Sequence, residues 1–249
     1  AHNRGSLVCR QRDESTWRYE LTGPHPSSVY ARHFYLVETA VSNPQPIAYV
    51  EYKQWGNSYV VREFGVRPGH SWRAVGLYLT RYFKKLAEVL FEADEKRLRG
   101  IFFNLGQGHS IYEALGHQLE EQRRPYAWYI RVPDLPAFLS HIAPALEQRL
   151  ADSVLSGHSG TSRVNLYQQQ LTLVFEQGKL KAVGTYHPKY LEDGDIHFPG
   201  TTFLQLIFGR NSLEELNSVQ PDCFSRDPGT AVLFNILFPK RPSWVVGLG

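Results

Sequence analysis

The chain has 249 residues, 42% of them hydrophobic, 20% charged and 13% aromatic, and a formal net charge of +3. That balance is too apolar for disorder, and its scattered Lys and Arg do not make a nucleic-acid surface. The longest apolar runs, such as TAVLFNILF, are far too short to span a bilayer, and the opening AHNRGSLVCRQRDESTWRYE is too polar for a secretion signal.

In chain order, ARHFYLVETAV (31–41) and IAYVEYKQ (47–54) alternate apolar and polar residues and predict two strands separated by the turn cluster SNPQP. NSYVVREFGV (57–66) predicts a third strand after the turn at Trp55-Gly56-Asn57. From Ser71 the apolar positions Trp72, Val75, Leu79, Tyr82, Phe83, Leu86, Val89 and Leu90 have helical spacing, sustained to about Glu92. The run EADEKRLR reads as the solvated end of that helix. GIFFNLG predicts a short buried strand, HSIYEALG a short helix ended by Gly116, and YAWYIRV a further strand.

After Pro133 the pattern restarts. Asp134 can cap a helix that buries Leu135, Phe138, Leu139, Ile142, Leu146 and Leu150, with Pro144 expected to kink or split it. TSRVNLYQQ, LTLVFEQG and KLKAVGTYH predict an antiparallel meander, with Gln177-Gly178 at its second turn. TTFLQLIFG, SLEEL (with the capping box Ser212 and Glu215) and GTAVLFNILF predict helices. The expected fold class is mixed α/β in residues 1–132 and α+β in residues 133–249.

Cys9 and Cys223 are the only cysteines, and the ten histidines form no HxxxH or HxH pattern. The expectation is two reduced thiols in a cytoplasmic protein, with no metal site. There is no Met, even at position 1, so the native product is expected to start upstream of Ala1.

The stretch REFGVRPGHSWRAVGLYLTRYF runs from strand through a Gly/Pro turn into a helix. A helix start after a strand offers backbone N–H groups and a positive dipole end to an anion. Gly65, Gly69 and Gly76 would let a pyrophosphate approach, and Arg67 and Arg73 would add charge. With the element order, this stretch resembles the GNAT N-acetyltransferases, whose acetyl-CoA signature is matched by Val66, Pro68 and Gly76. Ser71 stands where Gln or Arg is usual, and Ala74 where Gly is usual. IYEALGH, residues 111–117, is similar to the family's LYxxLGF element, with His117 in place of Phe. The second half looks like a sterol carrier protein type 2 domain. A GNAT lobe followed by such a domain resembles the enhanced intracellular survival acetyltransferases and their bacterial relatives, in which two lobes precede the carrier-like domain.

The resemblance implies acetyl-CoA as co-substrate and an amine of a small molecule or peptide as acceptor. It implies Tyr112 as the acid that protonates the leaving thiolate and a backbone N–H donor near Phe64 to Val66. Asn104 would contact coenzyme A, together with the turn residues Val66, Arg67, Gly69, Ser71, Arg73, Ala74 and Gly76. The implied base is the C-terminal carboxylate of Gly249, with Glu63 as a second candidate. The survival-type relatives form rings, which leaves a homo-oligomer open; no nucleic-acid partner or membrane insertion is expected. Plainer roles stand beside these: Tyr112 packed on the sheet, Ser71 as a helix cap, Glu63 facing solvent on an alternating strand. Two other readings compete. One is a non-catalytic supporting lobe of a larger acetyltransferase; the other is apolar-ligand binding by Phe198, Phe203, Leu204 and Phe208.

Overall fold

The computed structural model describes residues 6–9, 12–25, 27–28, 31–91, 97–123 and 129–243. Two compact units divide the chain: Ala1–Pro125 together with Pro242–Gly249, and Tyr126–Arg241. The segment from Pro242 belongs with the first unit. Both units are mixed α+β, each with one four-stranded sheet among the described residues.

In the first unit, helix α1 (Glu14–Thr22) starts at Asp13, whose carboxylate accepts from the Thr16 N–H at 2.8 Å. Glu20 is its one buried residue, and half-buried Trp17 packs on Phe34 and Tyr49. Strands β1 (Phe34–Glu38), β2 (Pro46–Trp55) and β3 (Ser58–Val66) form an antiparallel meander. The β2–β3 turn has two residues, and Gly56 takes its first position at φ +56°. Helix α2 (Trp72–Phe91) then crosses to β4 (Gly100–Phe103), which pairs in parallel with β3. Sheet order is β1-β2-β3-β4, and helix α3 (Ser110–Leu115) packs against α2.

One irregularity sets the faces of β3. Glu51 lies opposite Glu63, but Tyr52 lies opposite Val61, which leaves Arg62 as an extra residue. The bulge switches the parity of the strand. Tyr59 and Val61 before it and Phe64 after it all join the core with Val50, Val75, Leu79 and Phe83. Arg62 and Glu63, though adjacent, share the opposite face with Glu51.

In the second unit, α4 (Leu135–His141) is capped by Asp134 and is separated from α5 (Ala143–Ala151) at Ile142, just ahead of Pro144. Strands β5 (Gly160–Asn165), β6 (Gln170–Glu176) and β7 (Lys179–Gly184) form the expected meander, with Gln177 and Gly178 both at positive φ in its tight turn. A two-residue strand β8 (Ile196–His197), which the sequence pattern does not mark, pairs in parallel with β5. Helices α6 (Thr202–Ile207), α7 (Leu213–Val219, with the Ser212/Glu215 capping box) and α8 (Pro228–Leu237) complete the unit. Leu139, Leu146, Leu150, Leu171, Leu173, Phe175 and Phe234 are all but fully buried between helices and sheet.

Of the strand expected over YAWYIRV, residues 126–128 lie outside the described residues, and Tyr129–Val132 are neither helix nor strand. Apolar alternation needs a sheet edge to pair with, and Pro133 supplies no ladder donor at its end.

Gly76, inside α2, is where α2 and α3 come closest: a Cβ there would lie 2.5 Å from Ile111 Cδ1. Gly→Ala inside a helix usually stabilises by about 0.5–1 kcal/mol. Gly76→Ala is expected to do the reverse and destabilise by about 1–3 kcal/mol through overpacking. In urea melts of the single and double variants, adding Ile111→Ala should make Gly76→Ala much less damaging.

Candidate functional site

The turn between β3 and α2 is built from the backbone outward. The Arg67 N–H closes the β2–β3 ladder on Ile47 O at 2.8 Å, and Gly69 then turns the chain at φ +89°. Ser71 caps α2: its Oγ accepts from the Ala74 N–H at 3.2 Å and its carbonyl from the Val75 N–H at 3.1 Å. Arg67, Pro68, Gly69, His70, Ser71, Arg73 and Ala74 are exposed, so this helix start faces solvent. Gly65 and Gly76 have packing roles instead. A Cβ on Gly65 would strike the Tyr49 ring at 2.3 Å, and Gly76 admits Ile111.

Beside the turn the two parallel strands part. β3 and β4 pair only from Ser58 with Gly100 to Val61 with Phe103, and the Asn104 N–H to Val61 O bond at 2.8 Å is the last rung. From Arg62 to Val66 strand β3 runs on without β4. Because alternate residues point their backbone groups to opposite sides, those of Phe64 and Val66 are directed away from β2 and into this wedge.

A histidine that sequence reasoning missed sits in the wedge. His109 is 2% exposed, its Nε2 lies 3.1 Å from Phe64 O, and its Nδ1 accepts from the Ile111 N–H at 3.2 Å. Since Nδ1 accepts, the proton is on Nε2 and is donated to Phe64. The ring lies near-parallel to Phe64 and edge-on to Trp72, at centroid distances of 6.2 and 5.1 Å. Its sequence signal was only an N-cap position before SIYEAL.

Tyr112 reaches the mouth of the wedge from α3. Its hydroxyl lies 2.8 Å from Phe103 O and 3.0 Å from Leu105 O, and it accepts from the Leu105 N–H at 3.0 Å. The phenol thus braces the backbone leaving β4, and burial raises its pKa. The side chain of Asn104 is exposed just beyond β4. Gly249 lies outside the described residues. Of the described residues, Pro242 and Ser243 lie against the first unit: Pro242 O accepts from the Leu7 N–H at 2.8 Å, Ser243 Oγ from the Val8 N–H at 3.2 Å, and the Pro242 ring meets Gly108.

Glu63 was expected to face solvent; instead the bulge at Arg62 turns it toward Arg12 and away from the layer of Tyr59 and Val61, and it is fully buried there. Arg12 holds it through both terminal nitrogens, one of them at 3.0 Å, while Arg32 lies at 3.4 Å and the Tyr49 hydroxyl donates at 3.1 Å. Arg12 also bonds Glu20 at 2.9 Å, and Arg62 bonds Glu51 at 3.1 Å. Burial first, and the Glu63 carboxylate second, push the Tyr49 pKa up and keep its proton in place.

In the second unit, Phe198 and Phe203 are core residues. Their rings lie 5.1 Å apart, and they pack on Phe234 and Phe238 respectively. Phe208 stacks on Phe138 at 5.5 Å, with Leu204 packed on the same core. An open groove of about 470 Å³ lies elsewhere, between α7 and the start of α8, and mixes Glu214, Asn217, Arg226 and Asp227 with Leu213 and Phe224. Cys9 and Cys223 are both free, and Cys223 is fully buried, with its pKa raised to about 11 by that burial. Among the described residues there is no His/Cys/Asp/Glu group suited to a metal ion, and no helix is long and apolar enough to cross a membrane. No known family model and no curated protein matches the chain.

Glu63→Ala would take from the nearly buried Arg12 and Arg32 their shared carboxylate and leave them only Glu20 and Glu51, and a loss of about 3–5 kcal/mol is expected in chemical denaturation. Tyr49→Phe removes a single bond to a charged acceptor, with an expected loss of about 1.5–3 kcal/mol.

Proposed function

We propose that this chain is part of a GNAT-type N-acetyltransferase that moves an acetyl group from acetyl-CoA to an amine of a small molecule or peptide. The observation that carries the reading is the parting of parallel strands β3 and β4 beside the solvent-facing start of a 20-residue helix. A thioester arm lying in the wedge would meet the backbone of Phe64 and Val66, and the pyrophosphate would lie over Arg67 to Ala74. Arg67 and Arg73 are exposed there and available to phosphate. The amine nitrogen attacks the thioester carbon, a backbone N–H of the wedge steadies the oxyanion, and the C–S bond breaks. The departing thiolate then takes a proton, for which Tyr112 is the candidate acid once its hydroxyl leaves Phe103 O and Leu105 O. Glu63 is a poor base in this arrangement, because Arg12, Arg32 and Tyr49 already occupy its oxygens. The other implied base, the carboxylate of Gly249, lies outside the described residues.

A second reading has its own support. His109 fills the wedge and the Tyr112 hydroxyl is spent on backbone, as suits a supporting lobe of a larger acetyltransferase. Calorimetric titration of the chain with acetyl-CoA separates the two. The enzyme reading expects micromolar binding, weakened about tenfold by Arg73→Ala and tightened by His109→Ala. Absence of binding by both the parent chain and His109→Ala would leave the supporting role.

A further inference from the structure

On the face of β3 opposite α2, the side chains form an enclosure of unusual composition. Trp17 of α1, Phe34 of β1 and Tyr49 of β2 stand edge-on or tilted to one another, with ring centroids 5.2 to 6.3 Å apart. Glu63 and Glu20 add two carboxylates, each less than a tenth exposed. Two cationic heads lie inside: the Arg12 guanidinium is 3.7 Å from the Trp17 ring centroid and bonds both carboxylates, and Arg32 stands 3.4 Å from Glu63, 3.8 Å from Glu20 and 5.8 Å from the Phe34 ring centroid. Aromatic faces with desolvated carboxylates are the surroundings that recognise a guanidinium or an ammonium.

Two further features argue against simple structural cement. A buried ion network adds little stability over a well-packed apolar one. In addition, Arg12 lies on the stretch leading into α1, whose one buried residue is Glu20 and whose Trp17 packs on Phe34 and Tyr49, so this cation is carried by the element that closes the enclosure. The Tyr49 ring lies against Gly65, so the enclosure backs directly onto the strand segment whose other edge opens into the wedge.

We infer that the Trp17–Phe34–Tyr49 enclosure, with Glu20 and Glu63, is a binding site for a guanidinium or primary ammonium group, in which Arg12 is the intramolecular occupant. Resting on the acetyltransferase reading, this gives the acceptor a class: a cationic amine whose charged group displaces Arg12 and so brings the molecule to the back of the wedge. Without that reading, it is still a cation site closed by the chain's own arginine.

The test is chemical rescue in the full chain. Arg12→Ala removes the occupant, and ethylguanidinium replaces what was removed. Millimolar ethylguanidinium should raise the melting temperature of Arg12→Ala by about 3–6 °C for each tenfold rise above its Kd. The neutral isostere N-ethylurea should not, and the parent chain should respond to neither. If Arg12→Ala does not fold, refolding it in the presence of each compound decides the matter in the same way: recovery with ethylguanidinium alone supports the site. Equal effects of the two compounds, or no effect of either, overturn it. Acetyl-CoA titration of the parent chain is run alongside. Rescue without acetyl-CoA binding keeps the cation site and removes its link to acetyl transfer; acetyl-CoA binding without rescue does the opposite.

Discussion

A single inserted residue in β3 governs the first unit. Without the bulge at Arg62, strict alternation from Tyr59 and Val61 would carry Glu63 into the apolar layer beneath α2, where a carboxylate has no counter-charge. With it, Phe64 enters that layer and Glu63 turns toward Arg12, Arg32 and Tyr49. The same shift precedes the stretch where β3 continues without β4. The charged enclosure and the wedge are thus two results of one change in register, on opposite sides of three residues of backbone.

Parted strands leave backbone groups that must find partners away from the ladder. Here side chains from the loop after β4 and from α3 take that part. His109 donates to Phe64 O while accepting from the start of α3, and Tyr112 closes on Phe103 and Leu105. Both residues therefore hold the wedge open at a fixed width while also filling its inner end. Any ligand entering there competes with hydrogen bonds already made, which makes affinity for it a difference between two well-satisfied states.

Much of the element order was legible from periodicity and caps. The α2 stripe through Val75, Leu79 and Phe83, the split at Pro144, the Gln177-Gly178 turn and the Ser212/Glu215 capping box all depend on neighbours within a few residues, which a sequence displays directly. The candidate site was legible only as a turn. His109, Arg12, Arg32 and Tyr49 act across 14 to 51 residues of separation, and no local pattern marks them. Glu63 was expected in solvent because nothing local to its strand shows that Arg12, Arg32 and Tyr49 gather around it. The glycines were seen for their freedom, yet Gly65 and Gly76 are there for want of room, against Tyr49 and Ile111. The short β8 escaped notice because two residues cannot show a period.

The return of Pro242 and Ser243 to the first unit makes the second unit an insertion, tethered at both ends. When folded, that insert fixes the distance between its own ends. When it unfolds, more than a hundred residues become a slack loop between Pro125 and Pro242. Closing such a loop carries an entropic penalty on the order of 4 kcal/mol. Melting of the insert is therefore felt by the first unit through chain connectivity, and a fragment cut at Pro125 would lose Pro242 and Ser243, which belong to the first unit.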